Sequence, residues 1–104
     1  MRAAVLGKDP LLLAPRVYKV LLENDRVRVL DVRLKPGEKS PEHSHPDMLI
    51  YAIEDGRVRF TYPDGRSESV ELEAGDTIYC EALTHAAENI GSKEIRALNI
   101  ELKR

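Results

Sequence analysis

The chain has 104 residues, and its 16 lysines and arginines against 18 aspartates and glutamates give a formal net charge of −2. This length predicts one domain, residues 1–104, with a small core, and the charge balance excludes a basic surface for nucleic acid. The longest apolar run, residues 48–53, is much shorter than the roughly 20 residues that a transmembrane helix needs. A lone cysteine, Cys80, excludes an intramolecular disulfide and favours a reducing compartment. We therefore expect a cytoplasmic protein that binds neither nucleic acid nor a membrane.

The first part of the chain gives the weakest structural signals. Residues 1–9 are predicted to form a loosely held terminal arm. Residues 10–22 show the only trace of helical spacing, and this segment would fit either a short helix or an edge strand.

From residue 26 onwards, runs of strand length alternate with turns rich in Gly, Pro, Asn and Asp. Residues 26–35 and 94–103 each switch their apolar phase midway, which predicts a bulge or a bend. Residues 48–53 are apolar on both faces and predict a central strand. The turn at residues 63–65 predicts a hairpin. The pattern as a whole indicates an all-β fold of eight to ten short antiparallel strands, arranged as a sandwich or a small barrel.

The chain contains three histidines, and two of them share one face of a predicted strand. His43 and His45 are two positions apart, and side chains at that spacing point the same way on a strand. His85 follows the predicted strand at residues 77–80. Three neutral imidazoles from two strands suit a first-row divalent ion and leave coordination positions open. Spacing alone also allows three unrelated histidines in the core or on the surface.

Two segments resemble the two sequence motifs of the cupin superfamily. Residues 37–56 match the first motif, and residues 75–89 match the second. The matching residues are Gly37, His43, His45 and Gly56 in the first segment, and Gly75, Asp76, His85 and Asn89 in the second. The chain is most similar to short single-domain bacterial cupins. This resemblance implies one double-stranded β-helix, or jelly-roll, barrel of antiparallel strands, with the three histidines as ligands of a divalent transition metal.

The sequence departs from both motifs. The glutamate of the first motif, usually a metal ligand, is replaced by Leu49, which cannot coordinate. In the second motif, Glu81 stands in place of a proline and Leu83 in place of a glycine, and the stretch before His85 is one residue short. The turn that positions His85 is therefore expected to be unusual.

Four further residues are candidates for the site. Asp47 or Glu81 could supply the missing carboxylate, although Asp47 suits a cap of the turn after Pro46 better. Tyr51 and Tyr79 could orient a bound molecule through their hydroxyl groups, or they could be core aromatics with the hydroxyl at the rim.

A divalent ion held by three histidines alone keeps a charge near +2, which favours an anionic partner in the open positions. Within the superfamily, such sites resemble those of iron-dependent dioxygenases that cleave diketones or oxidise thiols. The resemblance thus implies a dioxygenase for a small diketone, thiol acid, or hydroxy or keto acid. Iron is the metal expected of such an enzyme, whereas imidazole also accepts Mn, Ni, Zn and Cu. The alternatives are a non-catalytic cupin that binds a metal or small molecule as a sensor or accessory protein, and a histidine cluster that binds nothing.

The sequence contains no nucleophilic triad and no phosphate-binding glycine loop, so no organic cofactor is expected. A chain this short has strand edges to protect, and pairing across a two-fold axis is the commonest way to cover them. We therefore expect a homodimer.

Overall fold

The computed structural model describes residues 9–103, which form one short helix and nine β-strands. The strand number lies within the predicted range. The elements are α1 (Pro10–Leu13), β1 (Tyr18–Glu23), β2 (Val27–Leu34), β3 (Lys39–His45), β4 (Met48–Ala52), β5 (Gly56–Thr61), β6 (Ser67–Leu72), β7 (Thr77–Cys80), β8 (Leu83–Asn89) and β9 (Ile95–Leu102).

The strands form two antiparallel sheets that share one core. The first sheet has five strands in the order β1-β2-β9-β4-β7, and the second has four in the order β3-β8-β5-β6. Leu30 and Ala97 of the first sheet belong to the same buried apolar cluster as Val58 and Ala87 of the second. Burial of this shared face drives the two sheets together, and the result is the predicted jelly-roll barrel.

Both alternatives for residues 10–22 occur, one after the other. Asp9 caps α1 by accepting a hydrogen bond from the Leu11 amide at 3.0 Å, and Pro10 opens the helix. The chain then enters β1, which lies at the edge of the five-stranded sheet. Apart from Asp9, the predicted terminal arm lies outside the described residues.

The bulge or bend predicted from the apolar phase switches in residues 26–35 and 94–103 is wrong. β2 and β9 are continuously paired, without a register shift, and their burial alternates throughout. The inward positions include Arg28 in β2 and Glu101 in β9, which are opposite each other in the ladder. Because charged residues normally face water, these two made a regular alternation look shifted. The register shifts lie instead in β1 and β3.

The hairpin and the central strand are confirmed. β5 pairs with β6 across the turn at residues 63–65, where Gly65 has a φ of 91°, a conformation that favours glycine. β4 lies between β9 and β7.

The outer face of the five-stranded sheet carries an apolar row that crosses all five strands. Successive ladder partners in this outer row are Leu22, Val29, Ile100, Leu49 and Tyr79. Leu22 is 50% exposed and Tyr79 is 54% exposed. The β4 segment is therefore apolar on both faces, as predicted, although nothing within residues 9–103 covers its outer face.

Candidate metal centre

The fold brings the three histidines together inside the barrel. β3 pairs with β8 so that His43 lies opposite His85, and His45 follows on the same face. The ring centroids are 4.8 to 5.4 Å apart. Each ring offers one ligand atom, and these atoms lie within 4.8 Å of one another. All three side chains are buried. The period of two along β3 and its pairing with β8 thus build the cluster that the spacing predicted.

Neighbouring groups fix the orientation of each ring. His43 Nδ1 donates to the carbonyl oxygen of Pro41 at 2.7 Å, so Nε2 is the ring nitrogen that carries the lone pair. His45 Nδ1 donates to Glu101 Oε2 at 2.6 Å. The ring of His85 stacks on Phe60, with the two planes 3° apart and the centroids 4.7 Å apart. A hydrogen bond on the far nitrogen is the usual way in which proteins orient metal-binding histidines.

The chemistry of this cluster fits a metal ion. His45 Nε2 and His85 Nδ1 are buried and have no hydrogen-bond partner among residues 9–103. Buried polar atoms are almost always hydrogen-bonded, so two orphaned imidazole nitrogens in one cluster require an explanation. Burial, with His45 nearby, lowers the pKa of His43 to about 4 and that of His85 to about 2. Both rings are therefore neutral at pH 7, the form that binds a cation.

An ionic chain supports His45 from the opposite sheet. Glu101 accepts from His45 through Oε2 and from Arg28 Nε through Oε1, at 2.8 Å for the latter. Arg28 also donates to both carboxylate oxygens of Asp9, at 3.0 and 3.2 Å. Burial alone would raise the pKa of Asp9, but hydrogen bonds from Arg28 and from the Leu11 amide outweigh it and lower the pKa. Two carboxylates and one guanidinium leave a formal charge of −1 beside the histidines.

Three residues around the site were not predicted from the sequence: Glu101, Arg28 and Tyr18. The Tyr18 hydroxyl lies 3.0 Å from His43 Nε2. The signal for the first two was present in the sequence. A regular strand that carries a charged residue on its inward face shows the same apparent phase switch in sequence. In the ladder, the two inward charged residues lie opposite each other. Tyr18 had no comparable signal, because it begins an edge strand in the segment whose structure was ambiguous.

Leu49 does not replace a ligand at the site, which corrects the reading of the first motif. It lies on the outer face of β4, opposite Ile100 and Tyr79. The cavity beside the histidines is lined instead by its two neighbours, Met48 and Ile50. The site therefore lacks a carboxylate from β4 because the inward residues Met48 and Ile50 are apolar, and not because Leu49 occupies a ligand position.

The structure does not bring the four further candidates into the histidine cluster. Asp47 Oδ1 accepts from the Ala82 amide at 2.8 Å, so it caps the short turn that leads into β8 and His85. Glu81 is exposed on that same turn. Tyr51 and Tyr79 lie on the outer face of the five-stranded sheet, 40% and 54% exposed. None of the four lines the cavity.

A small cavity of about 50 Å³ adjoins the site. Its polar lining comes from Tyr18, His45, His85 and Asn99, and the rest is mainly aliphatic. Since one water needs about 10–15 Å³ on this measure, the cavity has room for roughly three to five water-sized groups. It therefore suits a small molecule with one polar end.

The lowered histidine pKa values predict an acid-sensitive fold in the metal-free protein. In the unfolded chain both rings take up protons near pH 6.5, whereas in the folded chain His43 does so only near pH 4 and His85 near pH 2. The stabilisation that comes from keeping these two rings neutral is therefore fully present above pH 6.5. It is lost as the pH falls from 6.5 towards the folded-state pKa values. Each group contributes up to about 1.4 kcal/mol per pH unit. Urea titrations at pH 7 and pH 5 should show the loss in wild type, and a smaller one in His85→Phe. Equal unfolding free energies at the two pH values would contradict the assignment.

Comparison with known proteins identifies the family. Residues 30–101 match the family model described as "Cupin domain". The match covers most of the chain and includes all three histidines, so the chain belongs to the cupin domain family. No curated protein matches the sequence. Among the described residues, we find no helix with the length and apolarity needed to cross a membrane.

Solved structures share the fold. A cupin domain from Bordetella pertussis Tohama I is 27% identical, with a TM-score of 0.78, over 85% of this chain and 93% of that one. A double-stranded β-helix protein from Klebsiella pneumoniae is 22% identical with a TM-score of 0.68, over 83% of this chain and 75% of that one. An RmlC-like cupin family protein from Methanocaldococcus jannaschii is 19% identical with a TM-score of 0.68, over 84% and 79% of the respective chains. The cupin double-stranded β-helix predicted from the motifs is thus confirmed.

Proposed function

We propose that His43, His45 and His85 hold one divalent transition metal ion, and that the protein is a mononuclear metal-dependent dioxygenase for a small anionic chelating substrate. The observation that carries this proposal is the pair of orphaned buried nitrogens, His45 Nε2 and His85 Nδ1, beside His43. Buried ring nitrogens without a hydrogen-bond partner cost stability unless something binds to them.

The charge around the site supports an anionic substrate. A histidine binds a metal ion as a neutral imidazole, so the ligand set itself would add no charge. The carboxylate of Glu101 is engaged on the far side of His45 by Arg28 and the His45 ring. The formal charge of −1 in the ionic chain only partly offsets a divalent ion. An anionic oxygen or sulfur in the open positions would balance the remainder.

The surrounding residues would select the substrate by size and polarity. The bound ion would supply a Lewis acid and a docking point for O₂. Asn99 presents an amide to the cavity, and Met48 and Ile50 offer an apolar wall. A short diketone enolate, thiol acid, or hydroxy or keto acid combines an anionic chelating end with a small apolar body. Iron is the ion that this reaction favours, although Mn, Ni, Zn and Cu would also bind to imidazoles.

Oxygen consumption tests the catalytic proposal. Protein loaded anaerobically with Fe(II) should consume O₂ faster when a member of one of these substrate classes is added, and His85→Phe loaded in the same way should show no increase. If wild type retains iron but no diketone, thiol acid, or hydroxy or keto acid increases uptake, the dioxygenase proposal fails. A non-catalytic sensor or accessory cupin is then the better description.

We propose a cytoplasmic location for the protein, whether it is an enzyme or a non-catalytic cupin. Cys80 is free and part-buried, as is usual in a reducing compartment.

We also propose that two copies of the chain associate through the outer row. A continuous apolar stripe across five strands is unusual on a monomer surface, and face-to-face packing of two sheets would bury it. Light scattering at micromolar concentration should give the mass of a dimer. Leu22→Lys should shift this mass towards that of the monomer, whereas Leu12→Lys, an equally apolar and 80% exposed position on α1, should not. A monomeric wild type would contradict the proposal.

A further inference from the structure

Tyr18 reaches the histidine cluster from the opposite sheet. It is the first residue of β1, only 5% of it is exposed, and its ring meets His43 and His45 edge-on, with centroid distances of 5.2 and 6.0 Å. Its hydroxyl oxygen lies 3.0 Å from His43 Nε2. Tyr18 also lines the small cavity beside His45 and His85.

The tyrosine and a metal ion would compete for the same lone pair. His43 Nδ1 donates to Pro41, so Nε2 is the nitrogen that accepts the Tyr18 hydroxyl. An imidazole nitrogen has one lone pair, and a metal ion bound there would replace the hydroxyl proton. Metal–nitrogen bonds are about 2.0–2.1 Å long, so the ion would enter a space that the tyrosine oxygen already borders.

The displaced hydroxyl has little room to leave. The Tyr18 amide donates to the carbonyl oxygen of Ala14 at 3.1 Å, and Tyr18 pairs with Val32 in the ladder. A buried hydroxyl that loses its acceptor is costly unless it finds another partner. Ser40 lies close enough to interact with the Tyr18 hydroxyl, and its own Oγ is buried with no hydrogen-bond partner within residues 9–103. Ser40 Oγ is thus available to donate to the Tyr18 oxygen once that oxygen no longer donates its proton to His43.

We propose that Tyr18 is a fourth protein ligand. Its hydroxyl proton is released to solvent, and the resulting phenolate oxygen coordinates the ion held by the three imidazoles. This inference rests on the proposed metal site. It gives the centre the oxygen donor that its inward β4 residues, Met48 and Ile50, cannot supply. The donor set of the chain is then three nitrogens and one oxygen.

The sign of the change in metal affinity tests this proposal. Tyr18→Phe keeps the ring and removes the oxygen, and Tyr51→Phe on the outer face is the matched control. Competition of Zn(II) and Co(II) with a chromophoric chelator should show at least about tenfold weaker binding in Tyr18→Phe, and no change in Tyr51→Phe. Unchanged binding would overturn the proposal. So would tighter binding, which would mean that the hydroxyl only blocks His43 Nε2.

A second readout can be taken on the wild-type protein itself. Wild type loaded with Fe(III) should show a visible phenolate-to-iron charge-transfer band that Tyr51→Phe retains and Tyr18→Phe lacks. Absence of this band from the iron-loaded wild type would overturn the role of Tyr18 while leaving the three-histidine site intact. A wild type that binds no metal would instead overturn the proposed function itself.

Discussion

His85→Phe will lower the affinity for divalent metal by more than about 100-fold, beyond the 10- to 100-fold typical of residues that only orient ligands. The phenyl ring fills nearly the same space and can keep the stacking on Phe60. It removes His85 Nδ1, which is buried and has no hydrogen-bond partner in the described structure. The variant should therefore retain the fold and lose the metal. Chelator competition measures the affinity, and circular dichroism checks the fold.

Thr84→Val is the control for this variant. Thr84 is adjacent to His85 on β8, and its side chain contacts Ser44 rather than the cluster. This change should leave metal affinity within about twofold of wild type, since the Thr84 hydroxyl contacts Ser44 and no ring of the cluster. If His85→Phe binds metal as tightly as Thr84→Val, then His85 is not a ligand and the assigned set is wrong.

Arg28→Met will lower the free energy of unfolding by about 3–5 kcal/mol, because it leaves a buried carboxylate without its cation. The side chains of Arg28 and Glu101 are 10% and 3% exposed, and Arg28 also holds Asp9. Methionine keeps most of the aliphatic stem, so the loss reports the charge more than the packing. Urea unfolding of the metal-free protein measures it.

Arg33→Met is the matched control on the same strand. Arg33 is 52% exposed and pairs with Asp31 on the outer face, and a pair of this kind contributes about 0–1 kcal/mol. Adding Glu101→Gln to Arg28→Met should restore part of the stability, since it removes the uncompensated charge. If Arg28→Met and Arg33→Met cost the same, the ionic chain does not support the barrel.

The fold was predictable because its signals are local and repeated. Turns at strand-length intervals, the hairpin at residues 63–65 and the central strand at residues 48–53 all follow from short windows of sequence. The histidine cluster was also predictable, since His43 and His45 are two residues apart on one strand. His85 lies 40 residues after His45, and only the resemblance to the second motif indicated that it joins the other two histidines. In the fold, this happens because β8 pairs with β3.

The groups that hold the histidines in place could not be predicted in the same way. Arg28 and Glu101 are 73 residues apart and meet only because β2 and β9 pair. Reading charged residues as outward-facing is correct for most strands, and it fails where a buried ion pair satisfies both charges. Leu49 was misjudged for a different reason. The motif spacing identified its position in the sequence but did not show that it lies on the outer face of β4.

The most direct test of the central claim is the metal content of the wild-type protein. Apoprotein should be reconstituted separately with Fe(II), Mn(II), Ni(II), Zn(II) and Cu(II), passed through a desalting column, and assayed by elemental analysis. The three-histidine centre predicts one equivalent of at least one of these ions per chain, and its loss in His85→Phe. Retention of no stoichiometric metal by a folded wild type, for any of the five ions, would contradict it.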